Sequence, residues 1–189
     1  MTFAVPLAAM LLAALIIADF FVPMLPGATT IAAVAGFLLG SPVLIAGLVL
    51  CAAGASWLGD VLGFRVMRLA RSRWRRPFFG SAKVAALETR FSATLLRHPK
   101  ATTLIARFLP AGRTALAWAA TAVPTYRHGR MAALAGLIWA CYLVGMGLAF
   151  GWIFGPGMLS VGTTITTIVA GSVVLGWWFK GRPAERPAP

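Results

Sequence analysis

Long apolar runs broken by Pro/Gly and separated by basic stretches set the plan of this chain. Phe3 to Ala18 is apolar throughout, a little short of the ~20 residues a spanning helix needs. It runs into Asp19, then Pro23 and Pro26-Gly27. Thr29 and Thr30 are candidate caps for a half-helix that ends near Gly40-Ser41-Pro42. Val43 to Phe64 is long enough to span. Arg65 to Arg76, with Trp74, Phe78 and Phe79 nearby, predicts a helix end followed by an interfacial segment. Ser81 is placed to cap a short amphipathic helix with Val84, Leu87, Phe91 and Leu95 on one side. Ala101 to Val123 is apolar but is interrupted at Leu109-Pro110-Ala111-Gly112. Met131 to Phe154 spans, Gly155-Pro156-Gly157 turns, and Met158 to Phe179 spans back. The predicted fold is all-α and polytopic: one integral membrane domain over 1–179 and a Pro-rich basic tail over 180–189.

The pattern repeats. Leu25-Pro26-Gly27 and Leu109-Pro110 are matching breaks, and Gly59-x-x-x-Gly63 recurs as Gly147-x-x-x-Gly151 at nearly the same offset. The halves are about 15–64 and 101–154, joined by a basic loop over 65–100. Paired Pro/Gly interruptions in two halves point to a transporter site between them. If Ala101 to Val123 crossed the membrane, Arg127 and Arg130 would lie opposite the large basic loop. As a re-entrant hairpin it returns them to the same side, as the positive-inside rule requires. The expected plan is therefore an inverted repeat of two re-entrant broken-helix hairpins plus spanning helices. The basic loops and C-terminus are cytoplasmic in this plan.

Composition agrees with the pattern. Of 189 residues 60% are hydrophobic and 11% charged, against about 25% charged in soluble domains. Mean hydropathy is +0.86. No charged residue lies between Met131 and Phe179. The net charge of +13 concentrates in the loop holding Arg65, Arg68, Arg71, Arg73, Arg75, Arg76, Lys83, Arg90, Arg97 and Lys100. Nucleic-acid binding is not expected; cytoplasmic loops carry such charge, and it suits anionic membrane lipids. Cys51 and Cys141 sit in apolar runs as packing residues, with no metal or disulfide pattern. Asp19-Phe20-Phe21 does not resemble a signal-peptide cleavage site.

Charge inside apolar segments is costly and marks function. Arg107 and Arg113 flank the second break, Pro110. The half-helix opening at Gly112 and Thr114 adds backbone N–H groups and a positive dipole end. Guanidinium forks match phosphate oxygens, so these four residues form a candidate phosphate site. Alternatively the arginines pair with Asp19 and Asp60 and only hold the fold. Asp19, ahead of the break at Pro26 and Gly27, and Asp60 are the candidate proton-coupling acids; Asp60 is also near enough in sequence to Arg65 for a plain ion pair. His98 and His128 fall in basic loops and read as solvated. Tyr126, Trp139, Tyr142, Trp152, Trp177 and Trp178 suit interfacial belts. No enzyme, cofactor or metal motif is present.

Arg107-Phe108-Leu109-Pro110-Ala111-Gly112-Arg113 resembles the R-F-x-P-x-x-R signature of the DedA family, the VTT or SNARE-associated-type membrane proteins. Asp19 ahead of Leu25-Pro26-Gly27, Gly59-Asp60 with Gly63-Phe64, and Trp139 on the following helix extend the resemblance over about residues 15–155. It implies two opposed re-entrant hairpins in the plasma (inner) membrane. The implied activity is lipid-carrier transport, with undecaprenyl phosphate recycling leading, driven by the proton motive force. Family members often carry an acid after Leu-Pro-Gly; here Ala28 stands there, which bears on proton coupling. The expected partners are a phosphate-headed lipid and anionic lipids at the basic loop; assembly as a homo-oligomer is left open. The rival expectations are an envelope-homeostasis or assembly factor without transport, and a membrane lipid phosphatase.

Overall fold

A computed structural model describes residues 4–22, 25–73, 82–109 and 112–180. It is all-α, with eight helices among the described residues. They are α1 (Ala4–Phe21), α2 (Gly27–Phe37), α3 (Pro42–Arg73), α4 (Ala82–Arg97), α5 (Pro99–Phe108), α6 (Gly112–Ala120), α7 (His128–Phe154) and α8 (Met158–Lys180). Pro23, Trp74, Phe78, Phe79, Ser81, Pro110 and the tail over 181–189 lie outside the described residues, as do the expectations resting on them. Two helices, α3 and α7, are long and apolar enough to cross a membrane. α1, α2 and Met158–Gly171 of α8 are shorter apolar helices.

Local chemistry sets the helix ends. Pro42 opens α3 at the position where its missing N–H has no helical partner to lose. Ser41 precedes it, its carbonyl accepting from Ile45 N–H at 3.0 Å. Gly40, at φ +91°, makes the turn before it, and Gly155, at φ +75°, ends α7. Leu109 ends α5 in an extended conformation, φ −93° and ψ 138°, as the ring of the following proline demands.

One expected cap does not form, and the expected basic loop is largely helical. Thr29 and Thr30 do not cap α2; both hydroxyls donate back to the Pro26 carbonyl, at 2.9 and 2.7 Å. They lie inside the first turn, where a hydroxyl reaches the carbonyl three or four residues earlier. And α3 continues past the apolar run over 43–64, ending within 65–76 where the sequence places a helix end. It runs for 32 residues to Arg73, because the basic stretch is rich in Arg, Met, Leu and Ala, strong helix formers without a breaker. The first part of the expected loop over 65–100 is therefore helix, and α4 fills much of the rest.

Small residues decide which helices touch. Cys51 faces the Ala9 carbonyl, a Cβ on Gly59 would meet Ile17, and one on Gly63 would meet the ring of buried Phe20. Contacts that rise together in number mean that α1 and α3 run parallel. Gly147 and Gly151 press on the Ala32 and Gly36 carbonyls, so α2 and α7 also run parallel. A Cβ on Gly147 would lie 2.1 Å from the Ala32 oxygen, a backbone clash that only glycine avoids. Gly136 of α7 faces the Ala53 carbonyl, and Gly129 O accepts from Trp57 Nε1 at 3.1 Å. These contacts run in opposite order, so α3 and α7 are antiparallel.

α5 and α6 follow the same scheme. Phe108 meets Tyr142 edge-on at 5.5 Å, which sets α5 along α7. Arg71 at the end of α3 donates to Thr121 Oγ1 beyond α6 at 3.0 Å, which sets α6 along α3. The chain leaves the basic end of α3, folds into α5 and returns in α6. Thr103 Oγ1 and Tyr126 Oη, 2.5 Å apart, tie the start of α5 to the chain beyond α6. Leu95, Ala106, Leu116, Ala120 and Val123 form the core under this hairpin. The larger core joins Ile16, Ile31, Ala35, Leu48, Ala52, Ala55, Trp139, Ala140, Leu143 and Val144. Between the two cores lie the ends of α1 and α5 and the starts of α2 and α6.

A candidate anion site built on a charge knot

Asp60 sits near the middle of α3, on the face it shares with Ser56 four residues earlier. Gly59 and Gly63 beside it let α1 approach closely. The Asp60 carboxylate receives both arginines. Arg107 Nη1, at the end of α5, donates to Oδ2 at 2.6 Å. Arg113 Nε, in the first turn of α6, donates to Oδ1 at 2.9 Å, and its Nη2 lies 2.9 Å from the same oxygen. Arg113 Nη1 reaches Asp19 Oδ2, near the end of α1, at 3.3 Å. Side-chain exposure is 3% for Arg107 and 6% for Asp60, against 11% for Arg113 and 19% for Asp19. Two cations balance two anions.

Ser56 completes the knot. Its hydroxyl accepts from Arg107 Nη2, and its carbonyl accepts from Arg113 Nη2 at 3.3 Å. Aromatic faces close it: Arg107 lies over Trp139 and Arg113 over Phe20, both 5.5 Å from the ring centroid. One donor stays open. Arg107 Nε is buried and has no hydrogen-bond partner. Asp19 is the most loosely held member, with a single long contact and the greatest exposure. It packs beside Gly27, the first residue of α2, where the helix N-terminus favours a negative charge.

The structure thus brings together Asp19, Asp60, Arg107 and Arg113, with Gly27, Gly112 and Thr114 around them. The start of the second half-helix, α6, is already engaged. Gly112 N–H donates to Leu109 O at 3.0 Å, and a Cβ on Gly112 would lie 2.1 Å from the Ala106 carbonyl oxygen. Thr114 Oγ1 donates to Phe20 O at 3.2 Å, pinning α6 to α1.

Three expectations need correction. Asp60 is not paired with Arg65: it lies mid-helix and faces inward, whereas Arg65 is exposed. His128 is not solvated. It is buried, stacks on Phe64 at 4.5 Å and sets Nε2 3.1 Å from the Asp60 backbone carbonyl. It opens α7 where that helix meets α3, a contact that loop composition does not reveal. Trp139 is a core residue against Arg107, not part of a belt. His98 is exposed, as expected. Burial pushes the Tyr126 phenol up, while its hydrogen bond with Thr103 pulls the other way; it acts as a neutral hydroxyl.

Ser56 was the site residue hardest to see from sequence. Its one signal is the spacing of four residues to Asp60 on a helix, which places both on one face. Comparison with protein-family models, with curated proteins and with solved structures finds no match.

Proposed function

We propose that this chain is a multi-pass plasma-membrane transporter of a phosphate-headed lipid carrier, with undecaprenyl phosphate the leading substrate. Its proposed architecture is the inverted repeat of DedA-like proteins. The observation that carries the reading is the buried arginine pair with an open Arg107 N–H, at the meeting point of two broken helices. An arginine pair in an apolar body is a recognition element for an oxyanion. In this reading α1–α2 and α5–α6 are opposed re-entrant hairpins, irregular backbone being tolerated where it is buried in protein. α1 runs parallel to α3, and α5 runs the same way as α7, since the contacts Thr103–Tyr126, Arg107–Trp139 and Phe108–Tyr142 rise together in number; with α3 and α7 antiparallel, this supports it.

A membrane setting is supported by the apolar surface. Val43, Trp152, Met158 and Trp177 are each 80% exposed or more, and a soluble surface does not carry so many large apolar side chains in contact with water. Trp152 and Trp177 stand near the ends of α7 and α8, where interfacial aromatics belong.

The mechanism follows from charge balance. In the empty site Asp19 and Asp60 neutralise the arginines. A phosphate monoester arriving there competes with the carboxylates for the same donors. Asp19 yields first: protonation removes its charge and frees Arg113 Nη1. Arg107 Nε adds a second donor. Proton uptake at Asp19 and anion binding at the arginines are then coupled, although Ala28 supplies no second acid. Asp60 holds the arginine forks in place.

A second reading has its own support: each arginine is already paired with a carboxylate, as in a purely structural knot of a non-transporting assembly factor. Reconstituted vesicles decide. The transporter is expected to carry a short-chain isoprenyl phosphate across the bilayer without altering it. No flux from a well-folded protein favours the structural knot, and release of inorganic phosphate favours a phosphatase.

The topology is tested separately. Cysteines replacing Arg71, Arg127 and Lys180, one at a time in a chain lacking Cys51 and Cys141, are all expected to react with an impermeant maleimide only from the cytoplasmic side. Labelling of Arg127→Cys from outside, with Arg71→Cys protected, would sink the re-entrant hairpin.

A further inference from the structure

The basic end of the molecule holds a cavity of about 440 Å³ between α3 and the connection from α6 to α7. Its lining includes Phe64, Arg65, Arg68, Thr121, Tyr126 and His128. Arg65 and Arg68 are one turn apart on α3 and thus share a face. Among the described residues neither meets a carboxylate or a hydrogen-bond acceptor. This separates them from Arg107 and Arg113, which are neutralised by acids. Thr121 is engaged by Arg71 and Trp118, and Tyr126 by Thr103. His128 is different. Its Nε2 faces the Asp60 carbonyl, while its Nδ1 is buried with no partner.

We propose that this cavity is a second anion site, which takes a phosphate monoester group between Arg65 and Arg68. Two guanidinium groups offer the donors a phosphate needs. The apolar part of the wall, with Phe64 and buried Val123, favours a phosphate that carries a hydrocarbon chain. As an anion site the cavity stands on its own geometry. As a station on a transport route it rests on the reading given above. His128 then links the two sites, since its ring reaches from the cavity wall to the backbone of Asp60.

Gly129 provides a local probe. It lines the cavity, and a Cβ there meets nothing within 4 Å. Gly129→Cys, in the full chain without Cys51 and Cys141, is labelled with a maleimide in detergent. Octyl phosphate or inorganic phosphate is titrated as protectant. Octyl phosphate is expected to slow labelling, and the Arg65→Gln, Arg68→Gln double variant is expected to need about tenfold more of it, as loss of charge-assisted hydrogen bonds implies. Arg97→Gln, an exposed basic position elsewhere, is expected to change nothing. Equal protection by inorganic phosphate assigns the site to the free anion rather than to a lipid headgroup.

Absence of protection in well-folded protein overturns the proposal, as does an equal effect of Arg97→Gln. Unchanged thermal unfolding of the double variant keeps the comparison fair, since both arginines are exposed. The knot is probed independently. Protection that persists while reconstituted protein shows no flux leaves the second site standing and removes the transport reading. Flux without protection does the reverse.

Discussion

Asp60→Asn is expected to be the most destabilising single charge removal in this protein. Asp60 is the only acid that receives both arginines among the described residues, with contacts at 2.6 and 2.9 Å. Asn cannot neutralise them, so two buried guanidinium groups are left with Asp19 alone. Breaking a buried pair from one side costs about 3–5 kcal/mol. The loss is read as a lowered unfolding temperature and lowered yield of protein in mild detergent. Asp19→Asn is expected to do much less to stability, because its single contact is 3.3 Å long and its side chain is partly exposed. If Asp19 is the proton carrier of the proposed transport cycle, the same substitution is expected to remove the dependence of flux on the proton gradient. One charge crossing the membrane is worth about 2.3 kcal/mol per 100 mV, so the loss is measurable. Replacing Asp60 together with Arg107 by apolar residues should recover part of the stability, since a buried pair exchanged for packed apolar groups is often near neutral. An Asp60→Asn protein as stable as the parent would show that the knot does not hold the helices together.

The contrast between the two acids marks the limit of what the chain discloses by itself. Both stand out in sequence for one reason: an acid in an apolar run is costly and needs a partner. The breaks were equally legible. Leu109 must leave the helix before Pro110, and Gly59, Gly63, Gly147 and Gly151 announce close packing. Which acid would bind which arginine was not legible. That depends on how α5 and α6 return along α7 and α3, a long-range matter that leaves no local trace. Arg65, five residues after Asp60, looked like a partner, yet it turns outward to a cavity of its own. The places of His128 and Trp139 are hidden in the sequence for the same reason. A histidine in a basic stretch reads as solvated, and a tryptophan in an apolar run as interfacial, until the opposing helix is known. Ser56 is a small hydroxyl residue in an alanine-rich helix; only its contacts with Arg107 and Arg113 give it meaning.

The same dependence on long-range geometry makes Lys a sharp probe of the arginines. Arg113 bonds Asp60 and Asp19 with different nitrogens of one planar group, while Arg107 spans Asp60 and Ser56. A lysine ammonium keeps the charge but loses the fork, and it cannot keep two separated carboxylates and a phosphate in fixed register. If the arginines clasp a phosphate, Arg107→Lys and Arg113→Lys are each expected to weaken substrate binding and flux by about tenfold or more, in line with loss of one charge-assisted bond. Thermal unfolding should fall much less than in Asp60→Asn, because no buried anion or cation is left without its opposite. If the knot is only structural, Lys should serve nearly as well, and removal of an arginine together with its acid should restore folding. Flux, binding and stability must therefore be read on the same preparations. A stable Arg107→Lys, Arg113→Lys protein with unaltered binding and flux defeats the phosphate clasp. A stable one that no longer holds the lipid phosphate places recognition in the guanidinium geometry, beyond the charge that lysine also carries.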